Sequence, residues 1–124
     1  MNDSTTQNLI TAHKIVSDLV AALQRNGWSV ATQNLWRTSG IKRLSAALNG
    51  SPHCDLLVYF VQHFAARLIE KLNTTPLSKR PTSNENEWAR ALQPQLVPAV
   101  FVQMCCEQAS NLAQLSYPPL APQQ

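Results

Sequence analysis

Apolar residues in this chain recur every three or four positions, and no stretch alternates in the two-residue rhythm of a half-buried strand. Leu9, Ile10, Val16, Leu19, Val20 and Leu23 fall at helical spacing and predict a first helix. Ser4, with Gln7 three residues on, reads as its capping box, and Asn26-Gly27 as its stop. Only one face of this helix is apolar, which leaves Lys14, Asp18 and Arg25 for water. His13 lies on or beside the apolar stripe and is expected to pack as a neutral side chain.

A second helix is expected from Val30 to Arg37, and a third from Gly40 to Leu48, capped by Thr38 or Ser39. Ile41, Leu44, Ala47 and Leu48 make the buried edge of the third, and Gly50 ends it. Ser51-Pro52 restarts a helix at once, serine as N-cap and proline in the first turn, with Asp55 placed where the helix dipole favours an acid. Leu56, Leu57, Phe60, Phe64, Leu68, Ile69 and Leu72 carry this helix to Asn73, while Val58, Tyr59 and Val61 widen its apolar surface nearly all the way round. It is therefore the central helix, or one of its faces meets another protein.

The run TTPLSKRPTS, with two prolines and a Lys-Arg pair, predicts a long mobile loop. Asn84 with Glu87 opens a helix through Trp88 and Leu92, which Pro94 and Pro98 interrupt. The last helix is expected from about Pro98 to Leu115, with Val100, Phe101, Met104, Cys105 and Leu112 as its stripe. The elements add up to an all-α compact bundle of about five or six helices in a single domain over residues 1–117, followed by an extended or disordered proline-rich tail over 118–124.

Composition supports this and adds little chemistry. A chain of 124 residues that is 44% hydrophobic can bury one core, and its three glycines are few for an all-β fold. Charged residues are only 14%, which suits a domain that covers part of its surface with a partner. The net charge of +3 permits an anionic partner without demanding one. The N-terminal residues lack the pattern of a signal peptide, and the longest apolar run, Val97 to Val102, falls far short of the ~20 residues a bilayer needs. A soluble, cytoplasmic protein with no membrane contact is expected. The cysteines agree: Cys54 stands alone and Cys105-Cys106 are adjacent, so all three are expected to be unpaired thiols of a reducing compartment. No C-x-x-C spacing marks a metal site, and His53-Cys54 with a distant Cys105 is the only alternative.

Enzymatic signatures are missing. No Walker loop, no G-x-G-x-x-G and no nucleophile with a fixed base is present, so a non-enzymatic protein without cofactor or small-molecule substrate is expected. The richest stretch is Leu35 to Gly50, LWRTSGIKRLSAALNG. Arg37, Lys42 and Arg43 flank a Ser-Gly break, as a surface for nucleic-acid backbone phosphates would require, or as an ordinary solvated corner would allow. Arg67 and Lys71, one turn apart, are the second basic pair. Tyr59, Phe60 and Phe64 are the candidates for a protein partner.

In the order of its elements the chain resembles the small all-helical subunits of type III, Cmr-type CRISPR effector complexes. Ser39-Gly40-Ile41 stands where that family has Asn-Gly-Leu, Ala46 and Leu48 match its later Ala and Leu, and DLLVYFVQHF resembles its next helix. Ser45 replaces an expected apolar residue, and FVQMCCEQA stands in place of the closing W-x-x-R-F-A. The resemblance implies a non-enzymatic subunit that stacks against other protein subunits and contacts the backbone of a guide RNA or target strand without sequence specificity. The alternative is a small helical protein–protein module (adaptor, chaperone or phage-encoded inhibitor) with no nucleic-acid role.

Overall fold

The computed structural model describes residues 3–74 and 96–116. Among them every regular element is helical: α1 (Asp3–Arg25), α2 (Val30–Leu35), a π-helical turn (Trp36–Gly40), α3 (Ile41–Gly50), α4 (Cys54–Thr74) and α5 (Pro98–Ser116). The all-α class holds. Because α2, the π turn and α3 run on without a break, the described residues make four rods rather than five or six. The helix expected from Asn84, the Pro/Ser/Thr loop and the 118–124 tail lie outside the described residues.

The first helix opens at Asp3, ahead of the expected Ser4 cap. It buries Ala12, Val16, Leu19 and Leu23, one side of its periodic stripe. Leu9 and Ile10 are 44% and 54% exposed, and His13 faces solvent instead of packing. Ile10 borders a groove with α4 and His13 a hollow with Arg37 and Ile41, shallow contacts that leave both side chains exposed and that periodicity does not reveal. The stop is as expected. Gly27 adopts φ 86°, a left-handed conformation that glycine reaches without a Cβ penalty. The Trp28 N–H then donates to the Leu23 carbonyl at 3.0 Å and the Gly27 N–H to that of Gln24 at 3.3 Å, the two bonds of a Schellman motif.

Ser29 caps α2, its hydroxyl accepting from the Thr32 N–H at 3.1 Å. The expected break at Ser39-Gly40 is absent. Gly40 has φ −61° and ψ −51°, ordinary right-handed helix, and neither Thr38 nor Ser39 caps anything. The backbone instead widens into one π turn as it passes Trp36, which is fully buried. Trp36 stands edge-on to Phe101 of α5, with ring centroids 5.5 Å apart, and its Nε1–H donates to the Leu96 carbonyl at 3.1 Å.

Gly50 is the last residue of α3. Ser51 is extended, and its hydroxyl accepts from the His53 N–H at 3.0 Å, so the serine closes a turn and α4 begins at Cys54, later than Pro52. The fourth helix lies parallel to α1, tied at both ends. Near their starts Asn8 accepts from the Cys54 thiol at 3.6 Å and donates to Asn49 at 2.8 Å. Near their ends Asn73 Oδ1 accepts from Asn26 at 2.8 Å and from Arg25 Nη2 at 3.1 Å. Pro98 occupies the first turn of α5, where its missing N–H costs nothing. That helix packs Phe101, Cys105 and Ala109 inward, while Val100, expected in the stripe, is 38% exposed. No helix among the described residues is long and apolar enough to cross a membrane.

Candidate nucleic-acid interface

The outward side of α4 carries a line of rings that ends in basic residues. Tyr59 and His63 are one turn apart, and so are Phe60 and Phe64. The rings are in mutual contact. Tyr59 and His63 stack with centroids 6.0 Å apart and planes 7° from parallel. Phe60 and Phe64 stack at 5.9 Å, and edge contacts join Tyr59 to Phe60 at 5.1 Å and His63 to Phe64 at 5.3 Å. Phe60 and Phe64 are half-buried against the core cluster, so they fix the two outer rings from beneath. Tyr59 is 56% exposed, and His63 is exposed beside it. Arg67 and Lys71 continue the line by one and two turns, and border with Phe64 and Leu68 a hollow of about 100 Å³. Glu70, also exposed, is the acid on this stretch.

The sequence separated these residues into a partner-binding set (Tyr59, Phe60, Phe64) and a secondary basic set (Arg67, Lys71). The fold makes them one surface. His63 completes it and was missed, although its position four residues after Tyr59 was the signal.

In the leading basic set, Arg37, Lys42 and Arg43, the two arginines have separate local partners. Arg37 Nη1 donates to Asn34 Oδ1 at 3.0 Å, and with Ile41 and His13 it borders a hollow against α1. Arg43 Nε donates to Ser39 at 3.1 Å, and Lys42 is exposed on α3. Neither lines the Arg37 hollow.

The thiols are held protonated. Burial, and then neighbouring Cys106, push the Cys105 thiol up to about 12. Cys106 is raised by burial and then by Glu107, and Cys54 by burial and then by Asp55. Cys106 and His53 border one hollow between the α3–α4 corner and α5, but a raised thiol is the opposite of an activated nucleophile. All three cysteines are free, as expected. Among the described residues no three His, Cys, Asp or Glu side chains group as metal ligands would.

Comparison with known protein families, with characterised proteins and with solved structures finds no match to this chain.

Proposed function

We propose that this chain is a non-enzymatic helical subunit of a nucleic-acid-binding complex, and that it holds a single strand along α4 without reading its sequence. The observation that carries this reading is the continuous line from the Tyr59–His63 stack to Arg67 and Lys71. Exposed rings give any base a face to stack on, and basic side chains one or two turns away meet the backbone phosphates. Base-edge readout would need several outward polar side chains of Asn or Gln type among the rings, and the one amide on this stretch, Gln62, borders the α1–α4 groove. The formal charge of +3 is compatible with such a partner. The resemblance to the small subunits of Cmr-type effector complexes supplies one kind of assembly, with a guide RNA or target strand as the ligand. Arg37, Lys42 and Arg43 are secondary in this reading because Arg37 and Arg43 already bond Asn34 and Ser39 and no exposed Tyr, Phe or Trp ring is described beside them.

The test is the absorbance ratio at 260 and 280 nm of the purified chain before and after a high-salt wash, followed by titration with single-stranded RNA of mixed sequence. Co-purifying nucleic acid that salt removes, with equal affinity for unrelated sequences, is the expected result. A chain that binds no strand, alone or with its complex, returns α4 to the role of a protein-docking face.

A further inference from the structure

The opposite flank of α4 forms a groove with α1 of about 350 Å³. Its floor is apolar: Ile15 and Ala65 are buried, and Ile69 is half-buried. Ile10 stands on its lip, 54% exposed. The rim carries one charge of each sign, Lys14 and Asp18, at 77% and 60% exposure. They make an i,i+4 pair at 3.6 Å, in the order Lys before acid, which is the weaker one on a helix. So exposed a pair is held loosely and exchanges partners at little cost. A polyanion, or any partner of single sign, finds no net charge on this rim. A second copy of this chain finds its own complement, because a two-fold axis brings each lysine to the other copy's aspartate.

We propose that two copies of this chain pair through the α1–α4 groove, with α1 antiparallel to α1 and Lys14 of each copy against Asp18 of the other. The register follows. Setting residue 14 opposite residue 18 sets Ile10 opposite Ala22 of the second copy. The bonds between α1 and α4 keep a nearly constant sequence offset, 46 at Asn8–Cys54 and 47 at Asn26–Asn73. Ile69 therefore lies at the level of Ala22. The pairing that satisfies the charges thus brings exposed Ile10 of one copy over the Ile69 end of the other's groove. The Phe64–Arg67–Lys71 hollow is bordered by other residues of α4, so the pairing leaves the basic end of the proposed nucleic-acid line outward on both copies.

Sedimentation equilibrium of the full chain over the micromolar range tests this. The wild type is expected at twice 13.8 kDa. Lys14→Glu and Asp18→Lys each place like charges across the axis and are expected to weaken self-association by more than about tenfold. Each is expected to keep the wild-type circular dichroism spectrum, since both positions are exposed. Mixed in equal amounts, the two variants are expected to recover a dimer, because the introduced carboxylate then meets the introduced ammonium. Ile10→Glu is expected to be monomeric and to gain nothing from mixing. A monomeric wild type, charge variants that pair as tightly as the wild type, or a mixture that stays monomeric overturns the proposal. So does a wild-type groove that takes only a foreign helix. None of these outcomes bears on RNA binding, which Arg67 and Tyr59 report separately.

Discussion

The indole of Trp36 lies against the α-carbon of Gly40: a Cβ built at Gly40 would stand 2.8 Å from Trp36 Cε3. The glycine is a spacer beneath a buried ring, in ordinary helical conformation, and the chain widens into a π turn at the same place. Gly40→Ala must displace a fully buried tryptophan, and such overpacking costs about 1–3 kcal/mol. Gly50 is the internal comparison, since a Cβ there meets nothing within 4 Å. Gly50→Ala is expected to be neutral or to stabilise α3 by up to about 1 kcal/mol. Urea unfolding of the two variants should give midpoints on opposite sides of the wild type, or Gly50 at the wild-type value; a tolerated Gly40→Ala would contradict the spacer role.

Two buried tryptophans differ in one bond. Trp36 Nε1–H donates to the Leu96 carbonyl, whereas buried Trp28 Nε1–H has no acceptor among the described residues. Both lose comparable apolar area on replacement by Phe. Trp36→Phe also strands a buried carbonyl, while Trp28→Phe relieves an unsatisfied donor. The first substitution is therefore expected to cost more, by about 1–3 kcal/mol. Equal unfolding free energies for the pair would remove the Trp36–Leu96 bond from the account of stability.

Alkaline pH should expose the buried thiol. Cys105 keeps its proton up to about 12 in the folded chain, whereas an unfolded thiol loses it near pH ~8.5. Below that pH both states are protonated and the thiol adds no pH dependence. Above it the unfolded state binds fewer protons, so stability falls with rising pH, by up to about 1.4 kcal/mol per pH unit for this one group. Cys105→Ala removes that contribution, so the stability gap between wild type and variant should narrow as pH rises through this window. Reductant is kept present throughout, and a gap independent of pH would show a normal thiol.

Charge and stacking on α4 separate by salt. If Arg67 meets a phosphate, Arg67→Ala should flatten the slope of log affinity against log salt by about 0.7 on a single strand. Tyr59→Ala should leave the slope unchanged and cost about 1–3 kcal/mol of binding if a base stacks on the ring. The Lys42→Ala, Arg43→Ala double variant is expected to bind as the wild type does. Reversed behaviour, with the double variant flattening the slope and the α4 variants silent, would move the interface to α3.

The candidate surface was half legible in the sequence. Tyr59, Phe60 and Phe64 stood out as an apolar excess on a helix, and Arg67 and Lys71 as a basic pair. Their union was not visible, because it depends on which flank of α4 the core leaves uncovered. Arg37, Lys42 and Arg43 were the leading basic set in the sequence. They are close in sequence, but Arg37 turns towards Asn34 and the α1 hollow.

What the sequence by itself determined is what neighbouring residues decide among themselves. The helical period, the Gly27 stop and the Pro98 start depend on dihedrals and hydrogen bonds within a turn or two, and they stand where expected. Only the tertiary structure decided the rest. Leu9, Ile10, His13 and Val100 share the period of buried neighbours, yet they are exposed, because the tertiary packing brings other helices only to the edge of Ile10 and His13. Gly40 reads as a turn in one dimension and acts as a spacer in three, because the ring that needs the space is anchored by Leu96 and Phe101, some sixty residues away. The α1–α4 groove exists because bonds at both ends hold two helices parallel, and no local pattern encodes a pairing between residues 46 to 48 positions apart.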